Sequence, residues 1–169
     1  PQQLLDRLDA IGLSLQHSGH ALALLGLGSV GIERDRLDVY SDLDFFAVVE
    51  AGFKPQYLDS LDWLSAIAPI AYQFRNTVDG FKVLFDDGIF CEFAVFEPAE
   101  LRAIPFAQGR IVWQHPAFDA ALAQPEWVAP QATAPAAEWL VGEALTNLYV
   151  GLGRYRRGEK LSALRFIQQ

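Results

Sequence analysis

Apolar positions recur at helical intervals from the start of the chain, with Leu4, Leu5, Leu8, Ile11 and Leu15 on one face of a 3.6-residue turn. The pattern predicts an amphipathic helix over residues 2–18 that packs on a sheet. The apolar run Ala21–Leu25 is broken by Gly26, Gly28 and Gly31, and a polar stretch, Glu33–Ser41, leads into Asp42–Val49. Strand, turn, connection and strand is the expected order. Leu58, Leu61, Leu64 and Ile67 then return to helical spacing across Tyr57–Ile67, and Pro69 follows where a helix must stop. Phe81–Phe85 and Ile89–Phe96 are two apolar runs joined by Asp86, Asp87 and Gly88, which predicts a hairpin whose glycine takes the positive φ of a tight turn.

The segment Gln124–Pro135 is rich in Pro, Ala and Gln, and reads as a linker. Helical patterns follow over Ala136–Arg156 and Glu159–Gln169, with Arg157 and Gly158 at the turn between them. The expected organisation is a catalytic domain over 1–124, a linker over 125–135 and a helical C-terminal domain over 136–169. Met is absent even from the first position, and the last apolar pattern runs to the final residue, so the helical domain is expected to be incomplete. The fold class expected is α/β, a small mixed sheet with flanking helices.

Composition narrows the partners. The 169 residues are 51% hydrophobic, enough for one core and a small appendage, since domains usually run about 100 to 150 residues. A net charge of −8 argues against a polynucleotide partner, because tracking phosphates needs clustered Lys and Arg. Cys91 stands alone, so no internal disulfide forms, and there is neither a signal peptide pattern nor an apolar run near 18 residues. A soluble cytoplasmic protein that binds neither membrane nor nucleic acid is expected.

The chemistry gathers around Asp42 and Asp44. Side chains alternate faces along a strand, so these two carboxylates project together, about 7 Å apart, at the mouth of the apolar run Phe45–Val49. Like charges so placed repel unless a cation bridges them, and oxygen-only ligands favour Mg²⁺ or Mn²⁺. Glu92 is a third carboxylate inside an otherwise apolar strand, where a lone buried charge costs several kcal/mol. Gly28 and Ser29 follow directly after a strand, where a glycine lets backbone N–H groups approach a phosphate and the hydroxyl adds a hydrogen bond. Arg34, Arg75 and Lys82 are the basic residues nearest the motif strands in sequence.

The ordered set Gly28-Ser29, Ser41-Asp42-Leu43-Asp44 and Glu92 resembles the nucleotidyltransferase superfamily. The wider run looks like the lincosamide nucleotidyltransferases, which inactivate antibiotics by adenylylation; it spans residues 24–169 and includes Tyr40–Phe46, Trp63–Ile70, Val83–Phe93 and Arg154–Leu164. The resemblance implies a DNA polymerase β-like fold in which Asp42 and Asp44 bind metal, Gly28 and Ser29 hold phosphates, and Glu92 is a metal ligand or the general base. It further implies a two-ion Mg²⁺ site, with an NTP, by analogy ATP, as co-substrate and a small-molecule hydroxyl as acceptor. The connection between Ser29 and Asp42 is about two residues longer than the resemblance leads one to expect.

Other readings compete. Gly26-Leu27-Gly28-Ser29-Val30-Gly31 fits the dinucleotide fingerprint of a Rossmann-type oxidoreductase, but the mostly polar connection to Asp42 is too short for the crossover helix. A catalytically silent nucleotide-binding or antitoxin-type module would keep the same carboxylates. His17 and His20 have a metal-like spacing on a helix but lack a third ligand. Asp86 and Asp87 read as turn formers, and Cys91 as a buried small residue on the face opposite Glu92. Trp139, Leu140, Leu145, Leu148 and Leu152 form a helical stripe that reads as core packing, a homodimer seam or a wall of the acceptor cleft.

Overall fold

A computed structural model describes residues 1–125 and 136–168. Its centre is a six-stranded mixed sheet made of β1 (Ala21–Gly26), β2 (Leu43–Val49), β3 (Ile70–Phe74), β4 (Gly80–Phe85), β5 (Phe90–Phe96) and β6 (Arg110–Gln114). The strand order is β3-β4-β5-β2-β1-β6. Only β2 and β5 run parallel, and every other neighbouring pair is antiparallel. The helices are α1 (Gln2–His17), α2 (Lys54–Asp59), α3 (Asp62–Ser65), α4 (Pro98–Leu101), α5 (Ala137–Arg156) and α6 (Lys160–Ile167).

The strands divide their side chains between two unlike faces, as a period of two requires. Phe45, Ala47 and Val49 of β2 join Val83, Cys91, Phe93 and Val95 in the main core, where α1 lays Leu4, Leu8, Ile11 and Leu15 and α3 adds Trp63 and Leu64. The opposite face of the sheet has a smaller core around Leu25, Val48 and Phe96, closed by Leu101 of α4 and by Phe118 and Leu122. Beside that core the second face turns polar, with Asp44, Glu92 and Lys82. No helix among the described residues is long and apolar enough to cross a membrane.

Three expectations need correction. The helix foreseen over Tyr57–Ile67 is two short ones, α2 and α3, because Ser60 is extended (φ −134°, ψ 131°) and its hydroxyl accepts from the Asp62 N–H, starting the chain afresh. His20 lies beyond the end of α1, where it stacks on Phe53 and meets Glu50 at 2.9 Å, so it does not share a helical face with His17. The leucine stripe of α5 does not pack into a core: Leu140, Leu145 and Leu152 stay more than half exposed, while Gly142, Thr146 and Gly151 are the buried positions. Small residues there let the helix backbone approach closely, and a Cβ at Gly142 would run into the Phe74 ring. Strands β3 and β6 are additions that the hydrophobic pattern did not foretell. Of the linker expected over 125–135, residues 126–135 lie outside the described residues.

Phe45 is fully buried with its ring 5.2 Å from that of Phe93 and 6.4 Å from that of Trp63. Chemical denaturation of Phe45→Ala is expected to give a loss of about 3–5 kcal/mol. Leu13→Ala, at a position 57% exposed, should stay within about 0.5 kcal/mol of the parent.

Candidate active site

Register decides which charged groups meet. Asp44 of β2 is the in-register neighbour of Glu92 on β5, and Glu92 is the neighbour of Lys82 on β4. Residues opposite one another on adjacent strands point to the same face, so the three side chains form a row across three strands. Asp42 stands just before β2, two residues from Asp44. The Leu27 N–H donates to the Asp44 carbonyl at 2.7 Å, which draws the turn after β1 up against the same spot. Gly28 takes φ +50° there, and a Cβ on it would lie 3.4 Å from Asp44 Oδ2. The glycine therefore brings backbone directly against the carboxylate.

Asp42, Asp44, Gly28 and Ser29 together line one cavity of about 310 Å³. Its far wall comes from the second half of α5, with Tyr149, Arg154 and Arg156, and from Arg157 just after it, and its rim from Arg36 and Tyr40 in the β1–β2 connection. The Tyr149 ring sits 5.4 Å from that of Phe90, and Asp38 pairs with Arg157 at 2.9 Å, so the connection and α5 are tied across the opening. Sequence order suggested Arg34, Arg75 and Lys82 as the cations near the carboxylates, and only the last is. Arg75 donates to the Val78 carbonyl and lies over the Phe81 ring, and Arg34 is absent from the cavity lining.

Glu92 is held differently from the two aspartates. Its Oε1 accepts from the Asn76 side-chain amide at 2.8 Å, and Oε2 lies 3.8 Å from the Lys82 ammonium. Lys82 is buried and makes its closest ion pair, 2.9 Å, with Glu143 of α5, while also donating to the Thr146 hydroxyl at 3.2 Å. A buried ammonium needs such partners, and here they pin α5 onto the sheet. Glu143 was not foreseen from sequence; it faces a lysine 61 positions away. Among the described residues no group of three or more His, Cys, Asp or Glu side chains is arranged to hold a metal ion. Asp42, Asp44 and Glu92 share a neighbourhood, close enough for the charges of Asp42 and Glu92 to act on Asp44.

Electrostatics mark the aspartates as strained. Asp44 keeps an opening to the cavity, yet burial pushes its pKa well above the usual carboxylate value, and the charges of Asp42 and Glu92 push it further. Burial also raises Asp42, against the pull of a backbone hydrogen bond and of Arg154, Arg157 and Lys82. Burial raises Glu92 in spite of Lys82. Cys91, behind this row, is fully buried with its thiol pushed up, which suits an inert core residue.

The glycine fingerprint does not build a Rossmann unit. Gly28–Val30 and Arg34–Arg36 form only short 3₁₀ turns, and β1 pairs antiparallel with β2, whereas a βαβ unit needs a helix and parallel strands. No protein-family model matches the chain, and no curated protein matches it at a significant level.

The raised carboxylates imply a pH signature. Each binds its proton more tightly folded than unfolded, so the metal-free protein gains stability as pH falls from neutral through the raised values, and the gain is complete near the ordinary carboxylate range of about 4. Asp44→Asn should therefore be more stable than the parent at neutral pH in chelator, with the advantage shrinking as the pH falls. Thermal melts across that range check this; a variant less stable at neutral pH, or equally displaced at every pH, would contradict it.

Proposed function

We propose that the chain is a nucleotidyltransferase of the DNA polymerase β-like type, transferring a nucleotidyl group from an NTP to the hydroxyl of a small molecule with release of pyrophosphate. The observation that carries the reading is the shared cavity: two mutually repelling carboxylates face a glycine-serine turn and a wall of arginines. An acidic pair suits a cation, and the arginines suit the phosphates of its partner. The motif resemblance of Gly28-Ser29, Asp42-x-Asp44 and Glu92 points the same way.

Mg²⁺ fits this donor set. It binds through one or two carboxylates and completes its octahedron with water and substrate phosphates, so the Asp42–Asp44 pair suffices without a third converging side chain. Mn²⁺ would accept the same oxygens. When bound, such ions neutralise charge on the phosphates and align the attacking and leaving oxygens. The residues supply the rest. Asp42 and Asp44 would hold the cation; Gly28 would let the backbone approach the triphosphate, and the Ser29 hydroxyl would donate to it. Glu92 lies beside the cavity rather than in its lining, and would take the proton of an acceptor hydroxyl that reaches it through Oε2, the oxygen that Asn76 does not hold and that stands 3.8 Å from Lys82. Positioning and charge neutralisation account for most of the rate in this class of chemistry.

ATP as the donor and a lincosamide-like antibiotic as the acceptor rest on the motif resemblance, and the chemistry asks only for a hydroxyl that reaches Glu92. Pyrophosphate release and nucleotidylated product should be followed by mass spectrometry over a panel of hydroxyl acceptors that includes lincosamides. Asp42→Asn is expected to reduce turnover by about 100-fold or more while leaving the melting transition cooperative. Glu92→Gln should lower it by about 100-fold, the scale of a lost general base. Near-parental turnover in Asp42→Asn would sink the metal assignment. Mg²⁺-dependent NTP binding without turnover across the panel would favour the silent nucleotide-binding module.

A further inference from the structure

The outer face of α5 carries Val141, Leu145, Leu148, Leu152 and Tyr155, spaced four, three, four and three residues apart. Those are the a and d positions of two heptads, the seam along which one helix packs on another. All five are between 43% and 60% exposed, while the other side of the helix meets the sheet and α6 through the buried Gly142, Thr146 and Gly151. Helix α6 packs closely on α5, where a Cβ on Gly151 would come within 2.9 Å of Ile167, and it leaves Leu161, Leu164 and Ile167 exposed in turn. Apolar residues scattered singly over a surface are ordinary, but eight large ones on one helical hairpin mark an interface. Together they approach the area of about 800 Å² per partner that a stable interface buries.

Charge indicates what the partner is. Helix α5 begins acidic, with Glu138 in its first turn, and ends basic, with Arg154 and Arg156 in its last. Glu138 and Arg156 are both exposed and have no ion pair among the described residues. A second copy laid antiparallel sets each acidic start beside a basic end, whereas a parallel copy would stack like charges. Setting Leu145 against Leu148 and Leu152 against Val141 of the second copy fills the apolar layers, and it brings Tyr155 and Arg156 alongside Glu138 of the second copy.

We propose that α5 and α6 are the seam of a homodimer, in which two copies related by a twofold axis form an antiparallel four-helix bundle. The seam borders the candidate site. Leu152 belongs both to the stripe and to the cavity lining, so the α5 helix of the second copy shields that flank of the cavity from water. The association depends on α5 and α6 alone and holds whatever reaction the cavity performs.

Sedimentation velocity of the full chain across about 1–100 μM reads the mass of the particle. A dimer that dissociates on dilution is expected. Leu145→Glu/Leu148→Glu places charges in the central layers and should weaken association by about 100-fold or more. Both positions are exposed in the single chain, so a cooperative melt of the dilute variant separates lost association from lost folding. Leu13→Glu, at an exposed position on α1, should associate like the parent. Glu138→Arg and Arg156→Glu should each associate more weakly alone, and an equimolar mixture of the two should pair better than either, because only the mixture restores both opposite-charge contacts. A chain that stays monomeric throughout the series, its apolar face then being the seat of a different helix, overturns the proposal. So does a dimer whose mass is unmoved by Leu145→Glu/Leu148→Glu. A mixture no better than its components overturns the antiparallel arrangement.

Discussion

The parallel pairing of β2 with β5 sets Asp44 beside Glu92, and most of what is particular to this chain follows from that juxtaposition. Two carboxylates on neighbouring strands, with Asp42 close by, repel one another in a poorly solvated place. The surroundings answer with positive charge: Lys82 completes the row on β4, and the arginines of α5 face the cavity. Burying Lys82 in turn demands partners, and Glu143 and Thr146 provide them from α5, which also meets the sheet where Gly142 lies against Phe74 and Tyr149 against Phe90. The polar face of the sheet thus determines where α5 docks, and α5 closes the cavity.

The two faces of the sheet divide the labour. The face beneath α1, α2 and α3 is apolar throughout and supplies the stability that lets the other face hold charge. Phe45 and Asp44 are adjacent in sequence and opposite in role for the same geometric reason, the alternation of side chains along β2. A register slip of one residue would bury Asp44 and expose Phe45, so the apolar core also fixes the position of the carboxylates.

Local signals were readable in sequence and long-range ones were not. The heptad-like spacing of Leu4, Leu8, Ile11 and Leu15 gave α1, and Gly88, at φ +84°, gave the hairpin between β4 and β5. Asp42, Asp44, Gly28 and Ser29 were legible as a set because alternation and a turn place them within a few residues of a strand end. Strand β3 escaped because an exposed edge of five residues carries no alternating pattern, and α2–α3 were merged because Ser60 breaks a helix without Gly or Pro. The arginines of α5 are conspicuous in sequence, but the cavity they line exists only once α5 has docked through Lys82 and Glu143, a contact no local pattern encodes. The same holds for Glu92: its strand position was evident, its bond to Asn76 was not.

An acidic pair that holds a divalent cation for a nucleotide's phosphates makes nucleotide binding depend on that cation. The most direct measurement is calorimetric titration of the unsubstituted chain with a non-hydrolysable ATP analogue, once in Mg²⁺ and once in chelator. Binding in Mg²⁺ that falls by an order of magnitude or more in chelator is the expected result. Equal binding in both, or none in a well-folded protein, would contradict that role of Asp42 and Asp44.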